Sequence, residues 1–100
     1  MEKRRPHYDL AVIQARVVEM GAAAFTKTAL DGGRALGLTS EDMLEVIAAL
    51  THGDFYKSMT TIADKRMWQD VYHAMTQVEI EAYIKVTLRE GAVVIQFKEK

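Results

Sequence analysis

DFYKSMTT, residues 54–61, and WQDVY, residues 68–72, are the two runs on which the interpretation of this chain depends. Both are rich in threonine, aromatic and β-branched residues, and the turn-forming segment ADKR lies between them at 63–66. This pattern predicts two antiparallel strands joined by a turn. Each run also carries a polar residue that a buried strand would not select, Lys57 in the first and Gln69 in the second. We therefore expect this ribbon to form part of the core and part of a working surface.

The chain before this ribbon has the periodicity of helices. Apolar residues at i, i+3 and i+4 spacing, together with capping residues, predict three helices over about 10–20, 26–36 and 40–50. The pair Gly32-Gly33 is expected to weaken the second helix or break it, because each glycine costs roughly 1 kcal/mol relative to alanine. The apolar link at 22–25 is expected to be a short extended segment.

The chain after the ribbon has the period of strands, and its last hairpin defines a geometry. Strands are predicted at about 55–61, 67–74, 78–88 and 92–98. Glu90-Gly91 is typical of a two-residue hairpin turn, which places Tyr83 directly across from Lys98 with Cβ atoms about 5 Å apart. The opposite face of this hairpin is apolar and is expected to pack on the helices. The predicted fold is α+β, with three helices packed on one face of a roughly four-stranded antiparallel sheet.

The composition excludes several classes of protein. The 100 residues, 49% hydrophobic and 27% charged, predict one ordered domain spanning 1–100. The absence of cysteine excludes disulfides and thiolate zinc sites and suits a reducing cytoplasm. No apolar run approaches the ~18 residues of a membrane span, so no membrane association is expected. Because the formal net charge is −1, any phosphate-binding patch must be local.

Motifs of the common catalytic sites are absent from the sequence. The three histidines, His7, His52 and His73, have no metal-binding spacing, so neither a metal nor another cofactor is expected. The segment DGGR at 31–34 lacks the strand and the Lys-Ser/Thr of a phosphate-binding loop. The remaining candidates lie on the exposed face of the sheet: Lys57, Gln69, Tyr83 and Lys98. A lysine on such a face more often prevents aggregation than catalyses a reaction, so these residues alone predict only an α+β domain.

The sequence resembles the motility quorum-sensing regulator (MqsR) toxins. The resemblance is carried by the opening MEKR with Pro6-His7, the runs DFYKSMTT and WQDVY, and the ending FKEK at 97–100. It implies a fold similar to RelE and YoeB, with helices on one side of an antiparallel sheet. It further implies a cytoplasmic, sequence-selective and metal-independent mRNA endoribonuclease, the toxin of a type II toxin–antitoxin system. The alternative is a non-catalytic module that binds RNA or protein through the exposed sheet face.

The resemblance also implies which residues act and what inhibits them. Matched by motif, the active-site residues are Lys57, Gln69, Tyr83 and Lys98, the last two being the pair that the hairpin geometry places side by side. The ribose 2′-hydroxyl of single-stranded mRNA would be the nucleophile, with lysines stabilising charge on phosphorus. The assignment of general base and general acid stays open, and His7 or His73 could serve instead. The implied partner is an MqsA-like antitoxin with a zinc-binding domain and a helix-turn-helix domain, docking on an exposed strand edge or on the link at 22–25.

Overall fold

A computed structural model of the chain describes residues 1–100 and contains three α-helices and one five-stranded sheet. The helices are α1 Leu10–Met20, α2 Lys27–Ala35 and α3 Ser40–Ala49. The strands are β1 Glu2–Lys3, β2 Phe55–Thr60, β3 Trp68–Met75, β4 Glu81–Arg89 and β5 Ala92–Glu99. None of the helices is both long and apolar enough to span a bilayer.

The helices begin where their capping residues predict. The Asp9 side chain accepts a hydrogen bond from the N–H of Ala11 at the start of α1, and the Thr26 hydroxyl accepts one from Ala29 at the start of α2. Thr39 and Asp42 form a reciprocal capping box at α3. Each cap satisfies backbone N–H groups that have no partner inside the helix. The three predicted helices are therefore confirmed to within about one residue at each end.

The sheet is antiparallel, with the strand order β1-β2-β3-β4-β5. Its last four strands are the predicted ones, and the predicted register of the final hairpin is confirmed, since Tyr83 pairs with Lys98 and Arg89 with Ala92. The prediction of four strands lacked β1, which adds to the outer edge of β2 through the pairs Glu2–Met59 and Lys3–Ser58. The segment before β4 is a turn rather than the start of the strand, so β4 begins at Glu81.

One face of the sheet packs against the helices, as the apolar face of the hairpin predicts. The buried apolar residues form a single cluster in which Ile47 of α3, Ile84 of β4 and Ile95 of β5 are completely inaccessible. Burying a side chain of this size stabilises the fold by about 1.5–3 kcal/mol. The opposite face of the sheet carries no helix and is called the open face below.

The link at 22–25 is extended only at Phe25 and is not available to a partner, which corrects two expectations. Gly21–Ala24 form a 3₁₀ helix, and Ala24 and Phe25 are buried. Phe25 makes a parallel bridge with Ile95, and the N–H of Thr26 donates to the carbonyl of Ile95. The link thus covers the outer edge of β5 because its apolar side chains belong to the core. A strand added by another protein has no access there.

The Gly32-Gly33 pair does not break α2, contrary to the sequence-based expectation. A Cβ on Gly32 would lie 2.6 Å from the carbonyl oxygen of Phe97, and one on Gly33 would lie 2.2 Å from the sulfur of Met43. The two glycines therefore let α2 approach the backbone of β5 and the side chains of α3. Their low helix propensity is offset by the close packing that they permit.

Replacing Gly32 with alanine is expected to destabilise the protein by up to about 2 kcal/mol. Alanine favours a helix by roughly 1 kcal/mol over glycine, but the new methyl group collides with backbone that cannot rotate away, and overpacking costs about 1–3 kcal/mol. Urea denaturation followed by circular dichroism measures the change. Gly53→Ala is the control, because its Cβ would meet only Thr51 Oγ1 at 3.4 Å. Equal or greater stability of Gly32→Ala would contradict the close approach of α2 to β5.

A buried carboxylate attaches the N-terminal arm to the helix-covered side of the sheet. Asp70 of β3 is 1% exposed. It accepts hydrogen bonds from the backbone N–H of His7 at 3.0 Å, from that of Tyr8 at 2.9 Å and from the Ser58 hydroxyl at 2.6 Å. These bonds hold the chain between β1 and α1 against the ribbon of β2 and β3. The aspartate of the WQDVY run is thus a structural residue.

Candidate active site

The four residues predicted from the sequence all lie on the open face, each on a different strand. Tyr83 of β4 and Lys98 of β5 are direct partners. Gln69 and Val71 are two residues apart on β3, so their side chains point to the same side of the sheet. Val71 pairs with Lys57 of β2 and with Lys85 of β4. Because paired residues point to the same side of a sheet, this register assigns all four side chains to one surface.

Val71 marks the centre of this arrangement. It is completely buried although it lies on the open face, so its neighbours' side chains cover it. Lys57 and Lys85 are its direct cross-strand partners, about 5 Å away at Cβ. Gln69 lies two residues along the same strand, and Tyr83 is a diagonal neighbour, each about 7 Å away. Lys98 lies one strand further, beyond Tyr83. Four polar residues thus surround Val71, and Lys98 lies beside Tyr83 at the margin of this area.

A β-bulge adds an aromatic residue to this surface. The pairing of β2 with β3 shifts between Phe55 and Lys57, so Tyr56 is the extra residue of β2 and its side chain turns to the open face. Its ring stacks on that of His73 with centroids 4.4 Å apart, and the His73 ring lies 5.4 Å from that of Tyr83. Bulges commonly redirect a side chain beside a functional site. Here the bulge produces a row of three rings across β2, β3 and β4.

Cations lie at both ends of this row of rings. The ammonium group of Lys98 is 5.4 Å from the ring centroid of Tyr83, and that of Lys57 is 5.4 Å from that of Tyr56. The guanidinium group of Arg4 lies 5.7 Å from the centroid of the same Tyr56 ring. Each distance is within the range of a cation–π contact. The rings therefore hold flexible cationic side chains close to the surface.

A groove of about 630 Å³ adjoins Tyr83 and Lys98 where α2 passes the edge of β5. Its floor includes Lys85 and Gln96 of the open face, and its wall is formed by polar residues at the start of α2, such as Thr28. The volume is in the range of pockets that hold small ligands. The groove therefore offers room for a nucleotide beside the Tyr83–Lys98 pair.

Lys57 is held by a carboxylate from the N-terminal strand. Its ammonium group donates a hydrogen bond to Glu2 of β1 at 2.5 Å, and its side chain is only 20% exposed. This hydrogen bond raises the pKa of Lys57 and lowers the pKa of Glu2. Both groups are therefore charged at neutral pH. Lys85 and Lys98, in contrast, take part in no ion pair.

The structure separates the two histidines that were considered as alternatives. His73 lies on the open face between Tyr56 and Tyr83, its Nε2 is buried without a protein partner, and burial lowers its pKa. The imidazole of His73 is therefore mostly neutral at pH 7. His7 lies on the opposite face, where its ring stacks on Trp68 and its Nδ1 accepts a hydrogen bond from Lys3. His7 is not part of the open-face cluster.

The open face is locally basic in a chain whose formal net charge is −1. Its strands carry more cations than carboxylates, the former being Lys57, Lys85, Lys98 and Lys100 and the latter Glu2 and Glu81. Arg4 adds a further positive charge beside Tyr56. Asp31 of α2 also lines the adjoining groove, where it pairs with Lys27 and Arg34. This surface thus meets the requirement for a local phosphate-binding patch.

Sequence reasoning did not single out several residues of this surface. Lys85 lies on the same polar face of the final hairpin as Tyr83, but nothing in the sequence distinguishes it from a solubilising lysine. Placing Tyr56 on this surface depends on the bulge in β2. Placing Glu2 there depends on the pairing of β1 with β2, across 55 residues of sequence. The one indication in the sequence was the position of Lys85 between Tyr83 and Thr87, on the strand that follows the ribbon.

Comparison with known proteins identifies the family. The family described as "Motility quorum-sensing regulator, toxin of MqsA" matches residues 5–99. The mRNA interferase toxin MqsR of Escherichia coli (strain K12) is 41% identical over 100 residues, which cover 100% of this chain and 100% of that protein. The four candidate residues lie within the matched range. The chain belongs to the motility quorum-sensing regulator toxin family.

Proposed function

We propose that this chain is an mRNA interferase, the toxin of a toxin–antitoxin pair, and that it cleaves RNA on the open face of its sheet. Family membership supports the reaction, because the similar protein of Escherichia coli is named an mRNA interferase toxin. The observation that carries the site is the placement of Lys57, Gln69, Tyr83 and Lys98 around one point of a single surface. The local excess of cations supports a polyanionic substrate.

The lysines would stabilise the transition state. When the ribose 2′-hydroxyl attacks the adjacent phosphorus, negative charge accumulates on the non-bridging oxygens. Lys57 and Lys85 flank Val71, and Lys98 approaches from β5, so fixed positive charge surrounds the position of that phosphate. Preorganised charge of this kind is usually the largest single contribution to catalysis. Gln69 lies at the edge of the same area, where its amide would orient the phosphate or a base.

Tyr83 and Lys98 would protonate the leaving 5′-oxygen. Their side chains adjoin on neighbouring strands, with the Lys98 ammonium 5.4 Å from the Tyr83 ring. The adjoining groove would receive the nucleotide that departs. One of these two groups would pass a proton to the leaving oxygen and regain it from water.

Primer extension on a defined transcript tests the proposed reaction. Purified chain is expected to produce discrete stops at a small set of sequences, in the presence of a chelator as well as without it. Sequencing ladders run in parallel would locate each cut to a single nucleotide. Binding of the transcript without any cleavage would instead support a non-catalytic RNA-binding module.

We further propose that the inhibitory partner is an MqsA-like antitoxin, with a zinc-binding domain and a helix-turn-helix domain. The family description supports this, since it names the toxins by their relation to MqsA. The outer edge of β2 is the surface suited to strand addition, because β1 pairs only with Ser58 and Met59 and leaves the edge at Phe55–Lys57 free. Co-purification with the product of an adjacent gene of that domain type checks the identity of the partner.

A further inference from the structure

We propose that Glu2 is the general base of RNA cleavage, taking the proton of the attacking 2′-hydroxyl while its ion-pair partner Lys57 binds the phosphate. This inference rests on the function proposed above and adds a catalytic residue to it. It starts from the ion pair between β1 and β2, which brings a carboxylate onto a face otherwise dominated by cations.

The requirement for such a group follows from ordinary acidities. Phenols and alkylammonium groups lose their proton near pH 10 in water, whereas carboxylic acids lose it near pH 4. A carboxylate is therefore able to accept a proton at pH 7 without any tuning by the protein. Two carboxylates lie on the strands of the open face. Glu2 lies on the edge strand β1, opposite Met59, and Glu81 is the first residue of β4. Glu81 is bound to Lys100, away from Val71.

His73 is the competing base, and it offers a substrate at most one of its two ring nitrogens, Nδ1. Its ring is stacked on Tyr56 and lies beside Tyr83, and its Nε2 is buried. That nitrogen is out of reach of a hydroxyl on a substrate above the sheet. Glu2, in contrast, has a side chain that is 53% exposed, so its carboxylate is accessible from solvent while Lys57 fixes its position.

The placement of Glu2 relative to Tyr83 and Lys98 suits an in-line reaction. The backbones of β1 and β4 are three strand spacings apart, about 14 Å, and the Glu2 side chain extends across part of this distance to Lys57 of β2. Glu2 and Tyr83 therefore flank the area around Val71 from opposite sides. The bond from 2′-oxygen to phosphorus forms on the Glu2 side, and the bond from phosphorus to the 5′-oxygen breaks on the Tyr83 side. Glu2 gains the 2′ proton and Tyr83 or Lys98 protonates the 5′-oxygen. The products are a 2′,3′-cyclic phosphate and a 5′-hydroxyl.

The charged groups that face Glu2 define its pH dependence. Lys57 on β2, together with Arg4 and the amino group of Met1 on its own segment, lowers the pKa of Glu2 from its ordinary value of 4.5. The bound phosphate shares Lys57 with Glu2 and adds negative charge, which raises that pKa in the complex. The activity requires the carboxylate and is lost as the pH falls through its pKa. The acidic limb of kcat is therefore expected at higher pH than that of kcat/KM.

The experiment compares wild-type protein with Glu2→Gln on an RNA oligonucleotide that the wild type cuts at one mapped bond. Glu2→Gln is expected to lower kcat by about 100-fold or more and to remove the acidic limb, with KM unchanged or lower because a negative charge near the substrate is lost. Glu2→Asp is expected to keep the acidic limb at reduced kcat. Glu81→Gln is the matched control and is expected to retain the wild-type kcat.

A modified substrate separates the base from the acid. An RNA with sulfur in place of the 5′-bridging oxygen has a leaving group that needs no proton. On it, Glu2→Gln is expected to remain slow relative to wild type, whereas Tyr83→Phe is expected to approach the wild-type rate. A Glu2→Gln protein that cuts at the wild-type rate or faster would overturn the proposal and make Glu2 a counter-ion that competes with phosphate for Lys57. Failure of the wild type to cut any RNA would instead refute the proposed function.

Discussion

Replacing Tyr83 with phenylalanine is expected to lower kcat for RNA cleavage by about 100-fold or more, with little change in KM. The substitution removes one hydroxyl group and leaves the ring that contacts His73 and Lys98. A positioned proton donor or acceptor contributes about 10²–10⁴-fold to such reactions. Lys98→Ala is expected to have an effect of at least this size, because it removes both the neighbouring charge and a ligand of the phosphate. Steady-state cleavage of a fluorogenic RNA measures both constants.

Tyr8→Phe supplies the matched control for Tyr83→Phe. The Tyr8 hydroxyl donates a hydrogen bond of 2.8 Å to the carbonyl of Trp68, on the other side of the sheet. Its removal is expected to cost about 1 kcal/mol of stability without changing kcat. Tyr83→Phe should therefore lose activity, whereas Tyr8→Phe should lose stability and keep its activity. Wild-type kcat in Tyr83→Phe would remove that hydroxyl from the reaction.

Replacing Asp70 with alanine is expected to destabilise the protein by about 3–5 kcal/mol. The substitution leaves the N–H groups of His7 and Tyr8 and the hydroxyl of Ser58 buried without their acceptor. Each unsatisfied group costs about 1–3 kcal/mol, and a stability of 5–15 kcal/mol is typical of a whole domain. Asp70→Asn is expected to be almost as harmful, because its amide nitrogen would face donors. Urea denaturation measures both variants.

Asp64→Asn is the control for the loss of a carboxylate. Asp64 pairs with Arg66 in the turn between β2 and β3, where the Arg66 side chain is 92% exposed. Exposed pairs of this kind contribute about 0–1 kcal/mol. A loss of less than about 1 kcal/mol in Asp70→Ala would show that the arm is not held by this carboxylate.

Elements whose signals are local in sequence were the predictable part of this fold. The three helices carry their own caps and apolar stripes. The final hairpin carries Glu90-Gly91, and both residues have the positive φ, 52° and 80°, that this turn requires. That turn alone determines the pairing of Tyr83 with Lys98. Half of the candidate site was therefore available from the two short strand segments on either side of one turn.

Features that depend on distant segments were not predictable. Two residues at 2–3 have no periodicity, so β1 was missed, and with it the contact of Glu2 with Lys57. The glycines of α2 were interpreted from helix propensity alone, whereas their neighbours, Phe97 and Met43, decide their effect. The bulge at Tyr56 likewise leaves no mark in the alternation of β2. Each case involves packing between segments far apart in the chain.

The shortness of β1 has a kinetic consequence. The other strands are joined to their partners by short connections, whereas Glu2 of β1 meets Lys57 of β2 across 55 residues that include all three helices. A strand of two residues makes few hydrogen bonds to offset the entropy lost on ordering it, so β1 should join the sheet last and leave it first. A molecule with β1 detached would still present Lys57, Tyr83 and Lys98 to RNA. The time that β1 spends in place would then limit how often a bound RNA is cut.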